Sequence, residues 1–269
     1  MQQPSSAVQT ELDRYLEFAV ATSQDAGRVT LRYFRNELEA SFKADESPVT
    51  RADIEAEELI RARLGRDLPG HDIVGEEGGE SLSGSEFRWY VDPIDGTKSF
   101  VRGVPLYAVL MGLEVAGRVE VGVVHFPALG ETLWARSGGG TFLNGRRVHV
   151  TGTRSLKEGT LAYTDMGNFA PHGRQEALDR LAAAVQVRAG WGDAYGHSLV
   201  ASGRIELMLD PIMNAWDCGP FPVLLREAGG FFGSWSGEEG MHHGEALSTS
   251  QALLPEVLRL IEGRGVTGG

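Results

Sequence analysis

The sequence predicts a layered α/β or α+β protein with a division near residue 150. Three observations carry this. A helical period of three and four runs through the first 34 residues, a strand-like period fills 106–150, and short helices and strands mix evenly after that. At 269 residues the chain is long enough for one large or two modest domains with a sizeable core. The expected division is an N-terminal α+β half over 1–150 and a C-terminal α/β half over 151–269.

The elements follow in order. Val8, Leu12, Tyr15, Leu16, Ala19, Ala26, Val29, Tyr33 and Phe34 keep helical spacing, with Ser5 or Ser6 placed to cap the start. A second helix opens at Thr50, where Thr50 and Asp53 stand three apart like a capping box, and Ile54, Leu59 and Leu64 mark its buried face. Ile73 to Gly75 and Phe87 to Val91 are short apolar runs ended by turn chemistry and read as strands. Strands are expected over Leu106 to Val115, Val119 to Val124, Glu131 to Arg136 and Arg147 to Val150, separated by glycine-rich turns at 116–118, 137–140 and 144–145. Gly159 to Tyr163, Val187 to Ala189 and Arg204 to Leu209 read as strands, and Gly173 to Val185 and a segment near His197 to Ala201 as helices. Asp217 is expected to open a helix reaching Ala228, with Pro220 in its first turn.

Composition narrows the function. With 25 Lys and Arg against 37 Asp and Glu the net charge is −12, a field that repels nucleic acid and anionic membrane. One cysteine, Cys218, excludes an intramolecular disulfide framework and Cys-rich zinc or iron–sulfur sites. The opening MQQPSSAVQT has neither the basic nor the apolar region of a secretory signal, and no run of 18 apolar residues escapes Gly, Pro or charge. The expectation is a soluble, cytoplasmic protein that binds neither nucleic acid nor membrane.

The residues that carry chemistry are acidic and stand at strand or helix ends. Gly75-Glu76-Glu77-Gly78-Gly79 follows one strand, Asp92-Pro93-Ile94-Asp95-Gly96-Thr97 another, and Asp217 follows Trp216 at a helix start. Hard divalent cations such as Mg²⁺ take oxygen ligands from a few carboxylates plus substrate phosphate and water. Asp92 and Asp95, three apart across a proline-containing turn, can aim at one point, while Gly96 admits a close ligand. The Gly96 and Thr97 amides, opening a short helix, would form an anion site. Singly, each cluster has a plain alternative as turn, solvated loop or helix cap. Three together, in a chain lacking other ligand sets, call for one explanation.

The strings KADESPVTRAD (43–53), VGEEGGE (74–80), VDPIDGTKSF (91–100) and AWDCGP (215–220) resemble the inositol monophosphatase family of Mg²⁺-dependent phosphomonoesterases, in that family's order and over most of the chain. The resemblance implies a layered α-β-α-β-α sandwich, a homodimer and two or three Mg²⁺ ions. It implies that Glu76, Asp92 and the Ile94 carbonyl hold one ion, that Asp92, Asp95 and Asp217 hold a second, and that Glu76 reaches a third through water. It implies that Thr97, hydrogen-bonded to Asp53, orients and deprotonates the attacking water while the Gly96 and Thr97 amides hold the phosphate. Such a site performs metal-assisted in-line displacement. The family often has a small residue such as Ala two positions after its Trp-Asp pair, and Gly219 keeps that position small here. Cys218 beside it reads as a buried small hydrophobe rather than a redox switch.

The resemblance implies that the alcohol is chosen elsewhere, by 191–197 and 209–214. Asp210, seven before Asp217, matches the family's acid that touches substrate hydroxyls, and Asp193 is an additional acid. Two carboxylates beyond the metal ligands suit a cationic alcohol. This favours histidinol phosphate, and the strings at 96–107 and 192–204 look more like the histidinol-phosphatase branch. Asp193 could instead cap the Tyr195–Ala201 helix, and Arg102 could touch substrate or lie on the surface. His197 and His242-His243 suggest transition-metal ligation, but without a second cluster at ligand spacing the His pair reads as a solvated loop. Gly138 to Gly140 is no dinucleotide fingerprint, because no helical pattern follows it. The competing substrates are inositol phosphates, 3′-phosphoadenosine 5′-phosphate and fructose 1,6-bisphosphate. The last two would favour basic residues, and 191–214 supplies only Arg204. A metal- or metabolite-sensing protein is the non-enzymatic alternative. The presence of Glu76, Asp92, Asp95, Thr97 and Asp217 together argues against it.

Overall fold

The computed structural model describes residues 6–36, 41–42 and 48–263. Helix α1 (Ser6–Tyr33) is followed by a short pair, β1 (Ser41–Phe42) and β2 (Pro48–Val49), and then by α2 (Arg51–Asp67). Next come β3 (Asp72–Gly75), β4 (Gly79–Ser81), β5 (Phe87–Asp95), α3 (Thr97–Val101), β6 (Ala108–Val115), β7 (Arg118–Phe126), β8 (Glu131–Arg136), β9 (Gly140–Leu143) and β10 (Arg146–Val148). The rest comprises β11 (Thr160–Tyr163), α4 (Gln175–Ala184), β12 (Val187–Ala189), α5 (Asp193–Ala201), β13 (Leu207–Asp210), α6 (Ala215–Cys218), α7 (Phe221–Glu227), β14 (Gly230–Gly233), β15 (Ala246–Ser250) and α8 (Leu254–Ile261). Lys43 to Ser47, within the 43–53 string, and Ser5, a candidate cap for α1, lie outside the described residues.

Strand alternation builds the layers. The larger sheet runs β10-β9-β8-β7-β6-β5-β3-β4, antiparallel except for β3 beside β5. On β5 and β6, Trp89, Val91, Val109 and Met111 face α1 and α2 with Leu12, Leu16, Ile60 and Leu64. Tyr90 and Leu110 face the other way, onto α5 and α7 through Val200, Val223 and Leu224. The second sheet, β12-β11-β13-β15-β14, meets the far side of those helices with Met208, Phe232 and Ala246. Its outer face, with Leu161, Leu207, Leu209 and Leu247, is covered by α4 and α8 through Leu178, Leu181 and Val257. The result is the expected α-β-α-β-α sandwich, whose middle helices pack on both sheets. Among the described residues no helix is long and apolar enough to cross a membrane.

The structure differs from the sequence reading at particular points. The Thr50–Asp53 capping box forms as expected. The segment expected to turn after Val91 instead stays in β5 as far as Asp95, with a register slip between Asp92 and Asp95. A bulge of this kind re-aims side chains without ending the strand. Gly140, expected at the end of a turn, instead begins β9, which runs to Leu143 and pairs with β8. The helix expected over 217–228 is two short helices, α6 and α7, interrupted at Gly219-Pro220.

Pro220 has no N–H to continue the helical ladder, and the sheet beneath leaves room for the junction. Gly112 and Gly122 stand directly opposite each other on β6 and β7. A Cβ at Gly112 would overlap the Gly219 carbonyl, and one at Gly122 would overlap the Pro220 carbonyl. The α6–α7 junction therefore rests on bare sheet backbone, which sets the depth of α6 and of the Asp217 it carries. Gly112→Ala is expected to destabilise the fold by about 1–3 kcal/mol, the usual cost of overpacking, as measured by urea denaturation. An unchanged midpoint and slope would show that the junction can retreat from the sheet.

Candidate active site

Four elements converge on one point. The parallel register Gly75↔Val91 places Glu76 beside the residue that precedes Asp92, and the Glu76 N–H donates to the Val91 carbonyl at 3.3 Å. The bulge is tied by Asp92 itself, whose Oδ1 accepts the Ile94 N–H at 2.9 Å. Asp95 Oδ2 accepts the Ala194 N–H at 2.6 Å, a bond from the first turn of α5. Asp217 Oδ2 accepts the Asn214 N–H at 2.8 Å, closing a capping box on α6. Asp92, Asp95 and Asp217 then offer carboxylate oxygens that all lie within 4.8 Å of one another.

Burial and mutual repulsion dominate the electrostatics. Burial lifts Asp92 well above the ordinary carboxylate range, and the charges of Glu76, Asp95 and Asp217 lift it further. Asp95 is raised well above that range too, by burial and then by Asp193 and Asp217. Burial pushes Asp217 up to about 7, with the Asn214 N–H opposing and Glu76 adding to the rise. Asp53 is pushed up to about 6 by burial, against its hydrogen bonds from Thr50. Its Oδ2 accepts both the N–H and the hydroxyl of Thr50, at 2.8 and 2.6 Å, whereas its Oδ1 is buried with no hydrogen-bond partner. Clustered oxygen donors that repel one another, with a buried carboxylate oxygen unpartnered close by, fit a hard divalent cation.

A cavity of about 400 Å³ adjoins this centre, lined among others by Gly96, Thr97, Asp193 and Asn214. Gly96 has φ 81°, a left-handed conformation, and a Cβ there would stand 3.2 Å from Asp193 Oδ2. Asp193 does not cap its helix. Gly192 holds the cap position, and Asp193 is the first residue of α5 at φ 54°, which turns its carboxylate into the cavity. Burial and then the charges of Asp210 and Asp217 push Asp193 up to about 7, while Lys98 opposes them.

Other expected residues fall elsewhere. The Thr97 hydroxyl donates to the Ile94 carbonyl at 3.0 Å, so the expected bond to Asp53 is not formed. The short α3 turns Thr97 back onto the strand it leaves. Asp210 does not line the cavity. It is buried, and His197 Nε2 lies 3.2 Å from its Oδ2 while His197 Nδ1 lies 2.7 Å from the Ser248 hydroxyl. His197 is thus consumed by a buried network rather than left for a metal. His242 faces Glu114 at 3.5 Å and the Tyr90 ring, and Arg102 is exposed and bonded to the Lys98 carbonyl. Cys218 is buried, and burial, then Asp217, raise its thiol well above the usual value.

Sequence reasoning overlooked Lys98, Thr164, Asp165 and Asn168, which also line the cavity. Lys98 pairs with Asp165 at 3.8 Å, and Thr164 Oγ1 accepts the Asp193 N–H at 2.8 Å. The available signal was position: Thr164 and Asp165 follow the carboxyl end of β11, a parallel strand, where ligands gather in α/β sheets.

The inositol monophosphatase family model matches residues 11–264, and the chain belongs to that family. It is 40% identical over 251 residues to a histidinol-phosphatase of Chlorobaculum parvum, covering 93% of this chain and 97% of the relative. It is 38% identical over 249 residues to a histidinol-phosphatase of Mycobacterium tuberculosis, covering 90% and 96%. The crystal structure of the suhB extragenic suppressor protein of Bartonella henselae superposes with a TM-score of 0.87 at 27% identity, covering 94% of this chain and all of that one. The protein is a phosphatase acting on phosphoric monoesters.

The raised carboxyls link stability to pH. Asp53, Asp193 and Asp217 have folded-state values near 6 to 7 against an ordinary 3.8. Their contribution to stability is complete below about pH 4 and is lost as pH rises through those folded values. A bound cation offsets the loss. The Tm increase produced by Mg²⁺ is therefore expected to be larger at about pH 8 than at about pH 5. Equal increases at both would show that these carboxyls do not repel one another in the folded chain.

Proposed function

We propose that the protein hydrolyses histidinol phosphate to histidinol and phosphate, using Mg²⁺. The observation that carries the substrate assignment is Asp193, a carboxylate turned into the cavity beside Gly96. Asp165 on the same wall is paired with Lys98, which leaves Asp193 as the carboxylate open to a cationic alcohol. The relatives named histidinol-phosphatase support the same choice.

Glu76, Asp92, the Ile94 carbonyl, Asp95 and Asp217 would hold two or three Mg²⁺ ions. When bound, these supply positive charge for the phosphate and Lewis acidity toward the attacking and leaving oxygens. The residues of the chain do the rest. The Gly96 and Thr97 amides hold the phosphate at the start of α3. Asp53, with an unpartnered oxygen and a value near 6, takes the proton of the attacking water, which Thr97 orients. Asp193 binds the ammonium of the alcohol. Asp210 does not touch the alcohol: it lies outside the cavity, against His197. The same reading gives a homodimer in the cytoplasm.

Parallel turnover assays on histidinol phosphate, inositol 1-phosphate and 3′-phosphoadenosine 5′-phosphate test the assignment. A preference for inositol 1-phosphate would replace the amine-bearing substrate with a neutral polyol. Losing a hydrogen bond to a charged group costs ~1.5–3 kcal/mol. Asp193→Asn is therefore expected to lower kcat/KM for histidinol phosphate by roughly ten- to a hundredfold, and to leave glycerol 2-phosphate almost unchanged. An equal loss on both would make Asp193 structural. Asp92→Asn is expected to abolish turnover while circular dichroism shows the fold retained; residual activity above about a tenth would remove Asp92 from the centre of the site.

A further inference from the structure

Asp53, Glu57 and Arg61 stand four residues apart on α2, so the helical period brings them onto one face. That face points inward, with Asp53 fully buried and Glu57 only 2% exposed. A buried carboxylate needs partners. Glu57 finds them in the loop that joins β3 to β4. Its Oε2 accepts the Glu77 N–H and its Oε1 the Gly78 N–H, each at 2.8 Å. Arg61 Nε donates to the same Oε1 at 2.6 Å, and the guanidinium also donates to the Gly79 carbonyl and the Ser81 hydroxyl.

The glycines of this loop follow from the clamp. A Cβ at Gly75 or at Gly78 would overlap the Glu57 carboxylate and the Arg61 guanidinium. Both positions are bare so that the two side chains can reach the backbone. Glu76 lies between them. Its own N–H is held by the Val91 carbonyl, one residue before Asp92, and the next two N–H groups are held by Glu57. The backbone of Glu76 is thereby fixed on both sides.

We propose that Glu57, held by Arg61, is the positioning residue that keeps Glu76 against Asp92 in the acidic centre. The proposal rests on the reading of Glu76 as a metal ligand. Glu57 acts through Glu76: a carboxylate that accepts two consecutive backbone N–H groups sets the direction in which the preceding side chain leaves the loop. Without it the Glu77 and Gly78 N–H groups lose their shared acceptor, and the cation site is less preorganised.

The test titrates Mg²⁺ into the substrate-free protein and follows Tm, alongside the Mg²⁺ concentration that half-activates turnover of glycerol 2-phosphate. Glu57→Gln is expected to raise both midpoints by about tenfold or more, the scale on which groups that orient metal ligands act. Glu76→Gln, the control for the underlying reading, is expected to raise them at least as far. If Glu76→Gln leaves both midpoints in place, Glu76 is not a ligand and the underlying reading fails. If Glu76→Gln moves them and Glu57→Gln does not, the positioning role alone is overturned. A staple that serves only the fold would lower Tm without Mg²⁺ and leave the midpoints unmoved, which also overturns it. Arg61→Gln changes a partly exposed side chain and serves if Glu57→Gln does not fold. A several-fold rise in its midpoints is expected on the same grounds, and unmoved midpoints overturn the proposal.

Discussion

The structure is organised around the cost of holding like charges together out of water. Asp92, Asp95 and Asp217 would each be more stable exposed, yet the fold buries the first two, half-buries the third and points them at one another. It does so with one repeated device. A backbone N–H pins one oxygen of each: Ile94 for Asp92, Ala194 for Asp95 and Asn214 for Asp217. Asp53 follows the same rule through Thr50. A carboxylate pinned by one oxygen has a fixed direction and keeps ligand capacity on the other, which is what a cation site requires.

The layers matter because those N–H groups come from distant parts of the chain. The bulge that supplies Ile94 belongs to the larger sheet, whereas α5 and α6 belong to the helical layer between the sheets. Bringing them within bonding distance requires that layer to lie deep on the sheet. The facing glycines of β6 and β7 permit it, because side chains there would occupy the place of the Gly219-Pro220 junction. The tight packing of protein interiors thus converts two missing Cβ atoms into the position of Asp217. The strain at Asp193 has the same character: a left-handed residue is tolerated where it turns a carboxylate into the cavity.

Local chemistry was legible in the sequence, and long-range packing was not. Thr50 and Asp53 announced their capping box because both partners lie within one turn. The acidic strings were readable as a site because their residue types and strand-end positions are local features. The break between α6 and α7 is marked locally by Pro220, but its seat on Gly112 and Gly122, about a hundred residues earlier, is a long-range contact that no spacing reveals. The orientation of Thr97, the left-handed backbone of Asp193 and the burial of His197 against Asp210 and Ser248 likewise depend on neighbours that no spacing reveals. The strands β14 and β15 and helix α8 carried no reading at all, and they supply Ser248 and much of the outer core.

Burial and mutual repulsion favour the protonated form of these carboxyls until a cation takes the protons' place. Calorimetric titration of Mg²⁺ into the substrate-free protein, in buffers of different ionisation enthalpy near about pH 6.5, measures this directly. Net proton release is expected, because burial and mutual repulsion raise Asp92, Asp95 and Asp217 above the ordinary carboxylate range. Binding with no buffer dependence would mean that the carboxyls are already ionised, and would contradict the account.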